Sequence, residues 1–348
     1  MNITLSGVTI RSIAAAVPKD EVDLTELYGI YGTDDVDRIM ALNGISHVRL
    51  APEELCTSDL CEAASRALLN EENLETVDGI VFVSQTPDYI LPATSALLQH
   101  RLGLSQDTVI FDLNSGCPGY VYGLYQASLL VASGSCQNVL VCVGDVITRY
   151  VNPLDRSSRM VFGDGGSASV VSKGTGNIAF GFRTDGSGGE HLIIPAGGCR
   201  YPLNEDSGMV EVKTDGNMRS DEDIYMNGLD VMNYAVREVP QITENLLQKM
   251  GWKSSEIGLF GFHQANRFML DNLRKIMKLP KESVPITMGK LGNTGSASIP
   301  LMLSQEHRRL ANENRLQKTV LCGFGVGLSC AAAALDLSQT KILDFIEV

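Results

Sequence analysis

Apolar residues fall along the chain in short dense runs, with longer helical stretches between them and glycine, proline or polar turns at the joins. Asp78-Gly-Ile-Val-Phe-Val-Ser-Gln85 reads as a strand, 93–103 as a helix stopped at Gly103, and 108–113 as a second strand. A helix is predicted over 117–132 and a strand over 138–144, and Gly163-Asp-Gly-Gly-Ser-Ala-Ser-Val-Val-Ser closes the first half with a turn and a strand. The second half follows the same sense. A long helix covers 228–250, with an interruption expected at Pro240 and a stop at Gly251. A strand at 257–262, a helix at 267–278, a glycine-rich loop at 289–295, a helix at 296–312 and a strand at 318–323 come next, and the run from Gly323 to Asp336 closes it. Strands alternating with helices predict an α/β protein with mostly buried sheets.

Both halves end as strand, glycine turn and small-residue strand. This pattern points to an internal duplication with units 1–172 and 173–348. The segment 196–222 departs from it. With four glycines, Pro202 and the acidic run that starts at Asp221, it reads as a flap inserted before the long helix.

Composition narrows the function. The chain has 348 residues, 44% hydrophobic and 20% charged, the mix of a globular enzyme. A formal charge of −13 argues against nucleic acid as a partner, and an acidic partner would need a local basic patch. None of the eight cysteines forms a C-x-x-C pair and the five histidines are scattered, so no metal site is expected. Cys136, Cys142, Cys322 and Cys330 sit in or beside apolar elements and read as packing thiols. No signal peptide and no membrane-length apolar run is visible, and a reduced cytoplasm is the expected setting.

Three segments carry candidate chemistry. Cys117 stands between a strand and a helix in Asn114-Ser-Gly-Cys-Pro-Gly119. Pro118 suits a first helical turn, and the positive helix end favours thiolate over thiol. His263 follows an apolar strand at the end where α/β sites form, with Gln264, Ala265 and Asn266 after it. Asn293 lies in Gly292-Asn-Thr-Gly295, where its amide is a candidate hydrogen-bond donor. Gly323-Phe-Gly-Val-Gly327 resembles the start of a dinucleotide fingerprint but lacks the βαβ unit that must come after it. It reads better as a turn that aims backbone N–H groups at a substrate oxygen. On the helix after His263, Arg267, Arg274 and Lys278 share one line with Lys275 nearby, a candidate docking patch for an acidic carrier or a phosphate-bearing cofactor.

Taken in order, the Cys117 segment, Phe162-Gly-Asp-Gly-Gly-Ser-Ala168, His263-Gln-Ala-Asn266, Gly292-Asn-Thr-Gly-Ser-Ala-Ser-Ile-Pro300 and Gly323-Phe-Gly-Val-Gly-Leu-Ser329 resemble β-ketoacyl-acyl-carrier-protein synthase III of the thiolase superfamily. The resemblance runs over essentially the whole chain. It implies a thiolase fold of two similar βαβαβαββ halves in a five-layer αβαβα arrangement, and a homodimer. It implies catalysis by Cys117, His263 and Asn293, with oxyanion donors from the backbone of Cys117 and Val326. The implied reaction is acyl transfer to Cys117 and then decarboxylative condensation with a malonyl thioester, in fatty-acid or specialised acyl or polyketide biosynthesis. It needs no metal or redox cofactor, only coenzyme A or acyl-carrier-protein thioesters as substrates. Leu91, Arg156, Arg267 and Phe324 are the implied substrate contacts. Leu91 lies on the segment expected to reach a partner's acyl pocket, where phenylalanine is frequent. The early segment 34–45 has no tryptophan and has Leu42 where a cofactor-clamping arginine is expected, which favours a carrier-protein donor over coenzyme A. Two alternatives stay open: acyl transfer to an alcohol or amine without loss of CO₂, and a non-catalytic supporting subunit.

Overall fold

The computed structural model describes residues 2–72 and 77–348. Its principal strands are β1 (Asn2–Val17), β2 (Gly79–Val83), β3 (Val109–Leu113), β4 (Asn138–Asp145), β5 (Gly165–Thr184), β6 (Leu259–Phe262), β7 (Thr319–Gly325) and β8 (Ser329–Leu335). Its principal helices are α1 (Thr33–Asn43), α2 (Thr57–Glu72), α3 (Thr94–Arg101), α4 (Gly119–Ala132), α5 (Gly228–Met250), α6 (Arg267–Ile276) and α7 (Ser298–Asn312).

Two arrays share one long antiparallel pair. In the first, β3 pairs parallel with β2 and β2 parallel with β4, while β4 and β1 flank β5 antiparallel. In the second, β6 pairs parallel with β7, β7 antiparallel with β8, and β8 antiparallel with the far end of β5. The orders β2-β4-β5-β1 and β6-β7-β8-β5 thus carry the same sequence of directions. The chain order repeats too, except that a loop stands where a counterpart of β3 would fall. Residue 173, the expected boundary, lies inside β5, so one strand serves both repeats. Two register shifts in β1, between Ser6 and Val8 and between Ile10 and Ser12, bend the pair between the arrays.

Side chains alternating across each strand supply separate cores. Ile80 and Phe82 of β2 face α2 and α3 through Leu60, Leu68 and Leu98. Val81 and Val83 face the centre, where α4 (Leu124, Val131) and α7 (Ile299, Leu303) lie between the arrays. On the other side of the second array, Phe260, Phe262 and Ala332 meet α5 and α6 through Val239, Ile242, Leu246 and Leu270. The result is five layers, αβαβα.

Local departures from the sequence reading have physical causes. α5 runs unbroken through Pro240, because Val239, Ile242 and Leu246 hold its apolar face against the sheet on both sides of the proline. α4 opens at Gly119 rather than Cys117, since a tight turn from Gly116 O to Gly119 N–H comes first and Pro118 becomes the cap. α6 ends at Ile276, and Lys278 adopts a positive φ of 53° that takes it off the helical line.

Leu124 is fully buried in the central layer. Leu124→Ala should cost about 2–5 kcal/mol, read as a lower urea midpoint.

Candidate active site

The site forms where loops of both repeats meet. Cys117 is buried after β3, with its sulfur against Gly325 at the end of β7. A Cβ on Gly325 would lie 2.8 Å from Cys117 Sγ, and φ there is +153°, so this position needs glycine twice over. The next residue, Val326, gives the sulfur a backbone hydrogen bond. The residue before, Phe324, packs edge-on against the His263 ring at 5.6 Å between centroids.

His263 stands just past β6 and is 1% exposed. Its Nδ1 lies 2.6 Å from Ser298 Oγ at the start of α7, which also accepts from the Gln264 N–H at 3.3 Å. That leaves the serine hydrogen free for Nδ1 and favours the ring proton on Nε2. Burial pulls the imidazole down to about 3, against a backbone hydrogen bond with Gly295. Asn293 is pinned by its main chain: its N–H donates to Val161 O at 2.8 Å and its O accepts from Gly163 at 3.1 Å. Asn293 Oδ1 accepts from the Gly295 N–H at 3.1 Å, which leaves the side-chain NH₂ as a donor. Gly295 therefore touches both His263 and Asn293, and it lines one cavity with Cys117 and Val326. The three sequence candidates converge.

The helix-end argument for a thiolate does not hold in the resting state. Burial pushes the Cys117 thiol up to about 12, and Asp145 adds to the effect while the Val326 bond opposes it. Desolvation of the buried sulfur exceeds what its backbone hydrogen bonds return. Cys117 thus rests as a thiol beside a neutral imidazole.

The cavity of about 500 Å³ beyond Cys117 is walled by Ile147, Phe162, Leu192, Ile194 and Ile224, with Ala196 to Gly198 of the flap on one side. The flap is fastened. Its stems pair at Ile193 with Tyr225 and Leu192 with Met226. Arg219, buried, meets Asp155 at 3.5 Å and Asp215 at 2.9 Å and lies over the Tyr225 ring. Asp145, also on the cavity wall, sits with its carboxyl pushed up to about 6 by burial.

The remaining sequence candidates divide. Arg156 pairs with Asp35 of α1, and Arg267 packs on Gly44 just past α1, so the two arginines flank that helix. Arg267, Arg274 and Lys275 line a separate cleft of about 550 Å³ with Lys281, Asp271 and Ile286; Lys278 does not. Leu91 protrudes, 79% exposed, and is not on the wall of its own chain's cavity. Phe324 is 1% exposed, packs against the His263 ring and is not among the residues that line the cavity. Sequence reasoning does not single out Ser298, Asp145 or Gly325. Asp145 carries a signal, a charge at the C-terminal end of an apolar strand. Ser298 carries none, because its partner is 35 residues away in sequence.

The model of 3-oxoacyl-[acyl-carrier-protein] synthase III matches residues 111–186, and the model of that enzyme's C-terminal part matches residues 247–337. A β-ketoacyl-[acyl-carrier-protein] synthase III of Caldanaerobacter subterraneus is 33% identical over 307 residues, covering 86% of this chain and 89% of the relative. The chain belongs to the synthase III family. The crystal structure of a 3-oxoacyl-(acyl-carrier-protein) synthase from Burkholderia xenovorans superposes with a TM-score of 0.93 at 33% identity, over 100% of this chain and 99% of that one. The priming β-ketosynthase of the R1128 polyketide pathway matches with a TM-score of 0.79 at 26% identity, over 95% and 97%. The thiolase fold expected from sequence is therefore the observed one, and the synthase III chain is a condensing enzyme of the acyltransferase class.

With its thiol near 12, Cys117 should react with iodoacetamide at a rate that climbs about tenfold per pH unit from 6 to 9 without levelling. Mass spectrometry of the Cys117 peptide checks this; a plateau below pH 8 would show a thiolate already present at rest.

Proposed function

We propose that Cys117 takes an acyl group from a thioester and that His263 and Asn293 then stabilise the enolate formed when a malonyl thioester loses CO₂. The supporting observation is that Gly295, which touches both His263 and Asn293, lines one cavity with Cys117 and Val326. In the first half-reaction the sulfur attacks the acyl carbonyl, and the Cys117 proton ends on the released carrier thiol. The backbone N–H groups of Cys117 and Val326 hold the tetrahedral oxyanion, each such donor contributing about 3–4 kcal/mol to the transition state. In the second, the malonyl C–C bond breaks and its electron pair forms the enolate. The neutral Nε2–H of His263 and the Asn293 amide donate to the enolate oxygen. The carbanion attacks the stored acyl carbonyl, Cys117 leaves as thiolate, and it regains a proton. A neutral histidine suits this role, because a donor that shares but does not surrender its proton stabilises the enolate without quenching it.

Donors free on Asn293 favour condensation over simple transfer to an alcohol or amine. Arg267, Arg274, Lys275 and Lys281 form a basic cleft on an acidic chain, which supports docking of an acyl carrier protein or of coenzyme A phosphates. A homodimer is the assembly we propose: β3 is an edge strand with Ile110 and Phe111 exposed, and Tyr89, Ile90 and Leu91 stand out beside it.

Cys117→Ala should abolish the covalent acyl adduct seen by intact mass. His263→Ala and Asn293→Ala should keep the adduct but release ¹⁴CO₂ from labelled malonyl thioester about 10²-fold more slowly or worse; unchanged release would remove those two roles. Because His263 is neutral down to about pH 3, the rate of CO₂ release should show no acid limb near 6.5. Arg267→Glu with Arg274→Glu should raise KM for a carrier-protein donor by roughly tenfold and leave kcat unchanged.

A further inference from the structure

The acyl cavity is not wholly apolar, and one polar side chain in its wall has no protein partner among the described residues. Gln85 comes just after β2, is partly buried, and borders both the cavity containing Cys117 and a second cavity of about 550 Å³ on the other side of Gly116 and Val326. Its backbone is fixed, since the Gln85 N–H donates to Asp145 Oδ1 at 2.7 Å. Its carboxamide lies over the residue before the nucleophile: a Cβ on Gly116 would fall 2.2 Å from Gln85 Oε1 and 2.7 Å from Val326 Cγ1. The amide is therefore close to the point where an acyl group joins Cys117.

The other polar groups on the wall are engaged or solvated. Asp145 accepts from Gln85 N–H, Ser84 Oγ, Ser296 N–H and Ser296 Oγ. Asn114 and Tyr150 are open to solvent. Among the described residues on this wall, Gln85 is the partly buried side chain that offers both a donor and an acceptor beside Gly116, and no hydrogen bond to it forms there. A plain alkyl chain lying there would strip water from the amide and return nothing. A hydroxyl or oxo group within a few bonds of the thioester carbon would pair with it. Sites with buried hydrogen-bonding groups reject analogues that lack the partner more strongly than apolar pockets reject one extra methylene.

Resting on the acyl-transfer reading above, we infer that Gln85 is a specificity residue for an acyl group that carries an oxygen substituent near its thioester carbon, such as a 3-hydroxyacyl group. The test is the rate of adduct formation on Cys117 from 3-hydroxyacyl and unsubstituted acyl thioesters of equal length. Coenzyme A and carrier-protein forms of each are offered to the intact wild-type protein and to Gln85→Met and Gln85→Ala. Wild type should prefer the hydroxyacyl donor by about tenfold, the discrimination of roughly one neutral hydrogen bond. Both variants should lose that preference, the hydroxyacyl rate falling to that of the unsubstituted donor, and should keep the wild-type melting temperature. Wild type showing no preference, or a preference that survives both substitutions, overturns the inference and leaves the acyl-transfer reading standing. No adduct on wild-type Cys117 from any of these donors overturns both.

Discussion

Everything at the site hangs on the antiparallel pairing of β1 with β5 across both arrays. The N-terminal end of β5 meets the Asn293 loop, through Gly163 N–H to Asn293 O and the Phe162–Asn293 bridge. Its far end meets the glycine loop after β7, where Asp185 and Leu328 exchange backbone hydrogen bonds. One strand thus fixes two loops of the second repeat that approach Cys117 of the first. The bulges in β1 let the ladder bend, so both ends serve one centre. A duplication with a flexible linker between its halves would leave those loops free to drift, and a misplacement of about 1 Å is enough to cost a large part of the rate.

Burial then sets the chemistry. Removing Cys117 and His263 from water raises one and lowers the other, so both rest uncharged. The usual image of a thiolate poised on a helix end does not describe this resting state. In the proposed reaction, the fold supplies instead a set of neutral donors aimed at places where negative charge appears only transiently. Such dipoles act in a low-dielectric site and need no rearrangement when the charge arrives. Asp145, held by Gln85, Ser84 and Ser296, ties the loop after β2 to the start of α7 and keeps those donors in register.

Charge is distributed just as unevenly. The chain carries −13 overall, yet the cleft formed by α6 and the loop beyond it gathers Arg267, Arg274, Lys275 and Lys281. A local basic surface on an acidic body attracts anionic partners to one place and discourages association elsewhere. α1 lies between Arg156 and Arg267, so the early segment that lacks a clamping tryptophan is also the one that spaces the two arginines.

Element types and the sense of the duplication are legible in the sequence, and so are Cys117, His263 and Asn293 as the candidates that the fold brings together. Apolar runs and glycine punctuation are local, and five short motifs in order carry a family signature. Helix ends are legible only to within a turn. Pro118 and Pro240 have local preferences that tight-turn hydrogen bonding and core packing override. The line of basic residues breaks at Lys278, because whether a helix continues depends on the packing of the chain beyond its end. Ser298 on the imidazole, Gly325 against the sulfur and Phe324 edge-on to His263 were decided by tertiary structure alone, since each pairs residues from separate elements. The protonation states belong there too. Sequence names the titratable groups, but the surrounding protein that displaces water from them determines which form they hold.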